Sequence, residues 1–444
     1  MMKRITCVFL VFSILAGLFS VSCFAEKPNS YKVGDIIEFG FYPQTEVTDA
    51  NILNSLNSLL RDDQWISYGY HHTEKKKMLA SNFMRYADVS FDGKRYRAVA
   101  FDEYRPNYTS HNFDEAGAKR FQSFAGYKTD TVYWFAYEPI EWIVMDAENR
   151  LIVSKDILDS QPFDYSCYNV KEYRNGAFTQ VCYGDQEHSH LSTDYPFSTI
   201  HNWLNADTGF SETAFTKTQF DLIDQMALDD VSTAFDGVFV TKLFLLSVDQ
   251  YRTYQASDRL LDNCFGTDYA QCQGLDSKWK AVLAYNDQAD MWWVRNDPEN
   301  NGAGTWGNGS HVRIDGAVEA YHHTNATTIG VRPAMRLKEL KSDASQKAMF
   351  STQKAVKVNY KSEFDFASVF GTGTKDALYR SSDSEIATVT DSGLIRARGT
   401  GSVLIARITA DENDHETKEI LSITVKYSWW QTLIRIFLLG FLWY

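Results

Sequence analysis

Residues 351–426 carry short apolar segments separated by glycine-containing turns, and this pattern restricts the C-terminal part of the chain to an all-β arrangement. Turn sequences stand at Asp391-Ser392-Gly393 and at Gly399-Thr400-Gly401, and no helical period of apolar residues runs through the block. Short strands with regular turn signals are typical of a β-sandwich. The predicted strands lie at residues 355–358, 386–389, 394–397, 403–408 and 420–425.

A polar linker without periodicity, residues 341–350, separates this block from residues 26–340, which mix strand and helix signals. Apolar residues at helical spacing follow Asp49, and the pairs Thr216/Gln219 and Ser247/Gln250 fit capping boxes. The block lacks a βαβ rhythm and a Gly-rich phosphate loop, so we expect an α+β domain. Its strand-like segments include residues 36–42, 96–101, 132–137, 142–145, 151–153, 291–295, 311–314 and 329–337.

The first 25 residues are typical of a secretory signal peptide. Lys3 and Arg4 precede the apolar stretch 5–21, and a small-x-small pattern at residues 23–25 fits a cleavage site before Glu26. An uncleaved membrane anchor is one alternative and a lipidated Cys23 is another. We therefore expect a secreted protein of the cell envelope or cell surface.

Four cysteines remain after removal of the signal, and an even number in an exported protein suggests two disulfides. Four cysteines allow three pairings, and four free thiols are the alternative. We expect the local pairing, Cys167 with Cys182 and Cys264 with Cys272, because it closes short loops.

The aromatic hydrophobic tail, residues 427–444, predicts contact with a membrane. Trp429 and Trp430 at one end and Trp443 and Tyr444 at the other resemble two interfacial aromatic belts. A helix from Trp429 to Tyr444 would be about 24 Å long, which is shorter than a hydrocarbon core of about 30 Å. Arg435 in its middle is costly for a span. A tilted or interfacial anchor, and a segment that docks on its own protein, are therefore alternatives to a span.

Two family resemblances rest on phrases of the sequence. Tyr379-Arg380-Ser381-Ser382-Asp383, Ile386-Ala387-Thr388-Val389 and Ser392-Gly393-Leu394-Ile395 resemble bacterial Ig-like domains of group 2, which implies an Ig-like spacer. Phrases across residues 33–338 are similar to a secreted bacterial family of domains of unknown function, family 6273. They include Gly40-Phe41-Tyr42-Pro43-Gln44, Asn202-Trp203-Leu204-Asn205 and Gly330-Val331-Arg332-Pro333-Ala334.

A strand of the pattern Trp-Trp-x-Arg with a terminal Gly-x-Arg strand also resembles the C-type-lectin-like fold, whose members bind carbohydrate or protein. That resemblance implies a C-type-lectin-like mixed α+β domain followed by the all-β Ig-like sandwich. The formylglycine-generating enzymes share the fold, but the sequences around Cys264 and Cys272 do not match their active site.

A polar Gly/Asn-rich loop follows the Trp-Trp strand and is the best candidate for ligand binding. Exposed Trp faces stack on sugars, and carboxylate and amide oxygens bind hydroxyls or Ca²⁺. The loop resembles the start of a calcium loop, but Asn308 stands where the twelfth-position Glu belongs, so calcium is a weak expectation and no other cofactor is expected. Because strand side chains alternate, at least one tryptophan should be core. The candidate residues are Trp292, Trp293, Arg295, Asp297, Glu299, Asn301, Trp306 and Asn308.

The net charge of −13 argues against nucleic-acid binding, which needs a basic face. The chain contains no Gly-x-Ser-x-Gly and no His-Glu-x-x-His motif. We therefore expect a non-catalytic surface protein that binds an extracellular glycan or protein. A secreted hydrolase that acts on polysaccharide or protein through paired carboxylates is the alternative, and a purely structural envelope component is a third hypothesis.

Overall fold

The computed structural model describes most of the chain between Tyr31 and Ile434. The predicted signal and the last ten residues of the tail lie outside the described residues. The described residues are 31–68, 71–74, 77–80, 84–102, 104–105, 121–164, 171–174, 177–180, 195–205, 209–228, 239–258, 260–261, 264–276, 290–295, 308–324, 326–343, 350–373, 377–381, 384, 386–410 and 416–434.

The N-terminal block (residues 31–343) is built from short helices and many strands. Its strands are β1 (Ile36–Glu46), β2 (Ile66–Ser67), β3 (His71–Glu74), β4 (Lys77–Ala80), β5 (Met84–Phe91), β6 (Lys94–Phe101), β7 (Tyr133–Asp146), β8 (Leu151–Ser154), β9 (Asp159–Ser160), β10 (Lys171–Arg174), β11 (Ala177–Gln180), β12 (Ile223–Asp224), β13 (Met226–Leu228), β14 (Phe239–Thr241), β15 (Leu243–Phe244), β16 (Trp292–Trp293), β17 (Asn308–Val312), β18 (Val318–His323), β19 (Gly330–Val331) and β20 (Ala334–Leu337). Its helices are α1 (Ala50–Leu59), α2 (Phe121–Phe124), α3 (Thr199–Asn205), α4 (Phe210–Ala214), α5 (Lys217–Leu222), α6 (Val248–Asp258) and α7 (Asp268–Gln273), with 3-10 turns at Asp62–Gln64 and Tyr195–Phe197.

The C-terminal elements form a two-sheet block (residues 350–426) and the start of the tail. They are β21 (Phe350–Asn359), β22 (Glu363–Asp365), α8 (Ala367–Phe370), β23 (Leu378–Ser381), β24 (Ala387–Val389), β25 (Leu394–Ala397), β26 (Gly401–Ala410), β27 (Glu416–Lys426) and α9 (Trp429–Ile434).

Nine strands of the N-terminal block form one curled antiparallel sheet, like half of a barrel. Their order is β12-β20-β8-β7-β6-β5-β2, with β1 also paired to β7 and β15 to β20. Among the described residues, strand residues outnumber helix residues about two to one. The predicted α+β, C-type-lectin-like class is therefore wrong, and the fold is mostly β.

The continuity of β7 explains much of this difference. The sequence suggests two strands, at residues 132–137 and 142–145, but the structure has one strand of 14 residues that includes Pro139. Proline lacks the N–H that a ladder needs, and it is tolerated where the ladder is irregular. Pro139 lies opposite Phe41 between two register shifts of the β1–β7 pair. Residues 133–136 of β7 therefore pair with β6 while residues 142–146 pair with β8, which joins the segments into one sheet.

The predicted helix starts are confirmed, but the helices are short. Asp49 caps α1 by accepting from the amides of Asn51 and Ile52, and the predicted capping boxes open α5 and α6. Helix α5 nevertheless has only six residues and runs directly into β12. Local capping therefore marks where helices begin and says nothing about how much helix the domain contains.

A second sheet of five strands packs into the same hydrophobic core as the curled sheet. Its order is β18-β17-β16-β19-β9, with β16 antiparallel to β17 and parallel to β19. The Trp-Trp strand is therefore the central strand of this sheet.

The two-sheet block has a core of its own. The four-stranded sheet β21-β27-β26-β23 and the three-stranded sheet β22-β25-β24 share a cluster that includes Phe366, Ile395 and Ile423. Strand β21 pairs parallel to β27, and the other pairs of the block are antiparallel. Two of the predicted turn glycines have positive φ, 85° at Gly393 and 147° at Gly401, a conformation that disfavours a side chain.

The tail begins as helix α9 against the two-sheet block. The amide of Gln431 binds the Ser428 hydroxyl, and its side-chain nitrogen donates to the carbonyl of Tyr360 at 2.9 Å. Trp429 and Trp430 are 62% and 60% exposed, and their rings stack at 3.9 Å. Within the described ranges, no helix has the length and apolar character needed to cross a membrane.

Candidate functional site

Both tryptophans of the central strand are core residues. Trp292 is 1% exposed and Trp293 is fully buried. The indole nitrogen of Trp293 donates to the carbonyl of Gln161 at 2.8 Å, and the guanidinium of Arg332 lies 5.1 Å from the Trp292 ring. Neither ring is therefore exposed for stacking on a ligand at the surface.

Arg295, the last described residue before the candidate loop, is also a structural residue. Its side chain is 2% exposed. Its guanidinium donates to the carbonyl of Leu245 and to the side-chain oxygen of Gln250 at 3.3 Å. It also lies 5.7 Å from the Tyr195 ring. These partners are oxygen atoms and an aromatic ring of the N-terminal block. Arg295 therefore holds the chain in place just after β16.

The central residues of the candidate loop, Asp297, Glu299, Asn301 and Trp306, lie outside the described residues. The last candidate, Asn308, opens β17 and pairs with His323 of β18. Next to it, Gly309 lies close to Trp293, so that a Cβ atom there would come within 2.9 Å of the indole. The loop therefore leaves a buried arginine and returns to a buried glycine, which fixes both of its ends.

A histidine pair lies beside the returning end of the loop. The rings of His311 and His322 are 5.1 Å apart, and both meet the Trp293 ring edge to face. His311 is 2% exposed, with its Nε2 atom 3.8 Å from a carboxylate oxygen of Glu319. Burial lowers the pKa of His311 to about 3, and the neighbouring His322 and Arg313 add to the effect. His311 is therefore a neutral core residue at physiological pH.

The sequence does not reveal this pair because His311 and His322 lie on different strands. Cross-strand pairing of Gly309 with His322 brings His311 and His322 together. Knowledge of the β17–β18 register would have been needed to predict it. In the part of the chain that the structure describes, no group of three His, Cys, Asp or Glu side chains could hold a metal ion.

A second cluster, which the sequence did not single out, lies on the curled sheet. Asp88 is buried and accepts from Arg95 at 2.5 Å, from Arg97 at 2.8 and 2.9 Å, and from the Tyr137 hydroxyl at 3.0 Å. Arg97 also stacks on Tyr86, with its guanidinium 4.2 Å from the ring. Burial alone would raise the pKa of Asp88, but the two guanidinium groups lower it well below its usual value.

This cluster is closed to ligands. The side chain of Asp88 is 1% exposed, that of Arg97 4% and that of Arg95 12%. Each carboxylate oxygen already has a guanidinium partner. The cluster is therefore an ion-pair network that holds β5, β6 and β7 together.

A further buried acid links the two sheets. Asp159 of β9 accepts from the Tyr42 hydroxyl of β1 at 2.6 Å and from the amide of Ser160 at 2.6 Å. Burial raises the pKa of Asp159 to about 6, although its hydrogen bonds and Arg105 act in the opposite direction. Because its oxygens are occupied by these donors and by Gln161, it serves the packing of the sheets.

The predicted disulfide between Cys264 and Cys272 is wrong. Both residues are buried, and neither is in a disulfide. Cys264 lies before α7 with its thiol 3.5 Å from the carbonyl of Lys155. Burial raises the pKa of the Cys272 thiol well above its usual value, so it is also a poor nucleophile. The other two cysteines, Cys167 and Cys182, lie outside the described residues.

Comparison with known proteins finds a family model that matches part of the chain. Residues 148–339 match the model of the family described as Domain of unknown function (DUF6273). This confirms the resemblance for that range, which contains β8 to β20 and ends before the two-sheet block. No curated protein and no solved structure matches the chain.

Proposed function

We propose that this chain is an exported, envelope-associated protein that binds an extracellular glycan or protein without transforming it. The binding element is the loop between Arg295 and Asn308. The observation that carries the proposal is the anchoring of this loop, since Arg295 is buried against β15 and α6 while Gly309 packs on Trp293. A polar loop on a rigid scaffold is the usual construction of a binding site.

The chemistry of the loop residues supports the class of ligand. Asp297, Glu299 and Asn301 offer oxygen atoms, and Trp306 offers an aromatic face. Such groups bind sugar hydroxyls and the apolar face of a sugar ring, or a polar peptide. With both Trp292 and Trp293 in the core, Trp306 is the aromatic residue of the candidate set that remains for binding.

The start of the tail supports association with a membrane. Two large apolar side chains, Trp429 and Trp430, stand exposed side by side at the point where the hydrophobic tail begins. Tryptophan prefers the membrane–water interface. We therefore assign the tail to membrane contact and the two-sheet block, with its parallel β21–β27 pair, to an Ig-like module that carries the N-terminal block.

Two experiments test these assignments. The full chain is screened on arrays of bacterial and host glycans and of envelope proteins, and hits are repeated with Asp297→Asn and Trp306→Ala. Loss of binding with an unchanged melting temperature supports the loop, while equal binding by both variants refutes it. For the tail, Trp429→Ala/Trp430→Ala should reduce sedimentation with liposomes, whereas Phe265→Ala, also an exposed aromatic residue, should not. Equal sedimentation of all three proteins would refute membrane contact through this pair.

A further inference from the structure

Lys418 is a buried lysine on the outer face of the two-sheet block. Leu421, Ile423 and Val425 of β27 point into the core of that block. Because strand side chains alternate, Lys418 belongs to the opposite face. A lysine on the outer face of an isolated sheet would lie in water, yet Lys418 is only 2% exposed. The N-terminal block therefore covers it.

The covering surface offers three oxygen atoms to the ammonium group. The Nζ atom donates to the carbonyl of Glu212 at 2.6 Å and to the carbonyl of Phe215 at 3.2 Å. It also lies 3.2 Å from a carboxylate oxygen of Glu212. In this socket, two carbonyls at the end of α4 accept hydrogen bonds from the ammonium group, and the Glu212 carboxylate supplies the opposite charge. The carbonyls at a helix end have no partner within the helix, which makes them available to a lysine.

Other contacts hold the junction between the two blocks. Strand β21 lies against β5 and against the turn Asp62–Gln64. Within the predicted linker, the amide of Asp343 donates to the carbonyl of Glu38 at 3.0 Å, and the side chain of Gln219 donates to the carbonyl of Asp343 at 3.1 Å. The chain is thus fixed to the N-terminal block both before and after residues 344–349.

We infer that Lys418 locks the two-sheet block onto the N-terminal block, so that the two blocks behave as one rigid body. A buried ammonium group is tolerated only when it is paired and hydrogen-bonded, so the socket defines one docked arrangement and disfavours others. The lock gives the membrane-facing tail a fixed orientation relative to the N-terminal block. A flexible Ig-like spacer would not do so.

Hydrogen exchange on the full chain in detergent micelles tests the lock. In Lys418→Met the stem of the side chain stays, but the charge and its three contacts are lost. Removing one partner of a buried pair corresponds to about a hundredfold change in an equilibrium. We therefore expect amides of residues 209–216 and 350–356 to exchange about a hundredfold faster, while those of residues 142–153 and 403–408 are unchanged. Unchanged exchange at the junction overturns the inference, and so does equal acceleration in the strands of both cores, which would mean loss of the fold.

Two further variants make the test specific. Lys426→Met changes an exposed lysine of the same strand and should leave exchange at the junction unaffected. Glu212→Gln keeps the backbone carbonyls, so it should accelerate exchange by about tenfold and have no additional effect in the Lys418→Met background. If the effects of Glu212→Gln and Lys418→Met simply add, the two residues do not act together and the lock is refuted.

Discussion

The ion-pair network around Asp88 allows a sharp test of what holds the curled sheet together. Asp88→Asn keeps the size of the side chain but removes the charge that compensates Arg95 and Arg97. Breaking a buried pair by removing one partner costs about 3 to 5 kcal/mol, because the remaining charge stays buried. Two guanidinium groups share this carboxylate, so we expect a loss at the upper end of that range.

The same hairpin supplies a matched control. Arg85 and Asp102 also pair across β5 and β6 at 2.7 Å, but their side chains are 31% and 53% exposed. Exposed pairs contribute about 0 to 1 kcal/mol, so Asp102→Asn should change stability very little. Urea unfolding, followed by the fluorescence of buried Trp134 and Trp142, compares the two variants. If Asp88→Asn lowers the free energy of unfolding by less than about 1 kcal/mol, or if both variants lower it equally, the ion-pair network does not hold the curled sheet together.

The pH dependence gives a second check on this residue. Because the guanidinium groups lower the pKa of Asp88, its stabilising effect is fully present above the unfolded pKa of about 3.9 and is lost as the pH falls further. The stability difference between wild type and Asp88→Asn should therefore be constant from about pH 5 to pH 8 and shrink below about pH 4. A difference that grows as the pH falls would contradict this explanation.

Three further results are expected. His311 is neutral in the fold because its pKa is lowered to about 3, so stability should fall as the pH drops below its unfolded pKa of about 6.5. Between about pH 6.5 and pH 3, the melting temperature of His311→Gln should fall less than that of wild type. An identical fall in both proteins would contradict this explanation. Gly309→Ala should lower the free energy of unfolding by about 1 to 3 kcal/mol because the new Cβ meets Trp293. If thermal unfolding shows the same stability as wild type, the end of the loop is not tightly packed. Iodoacetamide with peptide mass mapping should label Cys264 and Cys272 only after denaturation, and labelling of either thiol in the native protein would disprove their burial.

The strands of the two-sheet block could be located from the sequence because their signals are local. The predicted segment at residues 394–397 coincides with β25, and segments 403–408 and 420–425 lie inside β26 and β27. Glycines at positive φ fix the turns between them. Each of these features depends on neighbouring residues only.

The class of the N-terminal block could not be predicted because it depends on pairing between distant strands. Pro139 looks like a strand end until its partner Phe41 and the flanking register shifts are known. Arg97 and Asp88 were more accessible to prediction. Asp92 and Gly93 form a tight turn with φ of 49° and 70°, and such an Asp-Gly hairpin sets the register that places Asp88 opposite Arg97.

The candidate site shows the same limit. Strand alternation requires that one of Trp292 and Trp293 points into the core, but it does not decide whether the other is buried or exposed. Both are buried because each face of β16 is covered, by Tyr251 and Arg332 over Trp292 and by Phe163 and His311 around Trp293. Only the tertiary structure could show that the second face is also occupied.

The most direct test of the proposed function is a binding titration against one ligand taken from the arrays. It compares wild type with the loop variant Asp297→Asn/Trp306→Ala and with the scaffold variant Trp292→Phe. We predict that the loop variant loses at least tenfold in affinity at an unchanged melting temperature, while the scaffold variant melts earlier but keeps its affinity when folded. Wild-type affinity in the loop variant would contradict the central claim that the loop between Arg295 and Asn308 is the binding element.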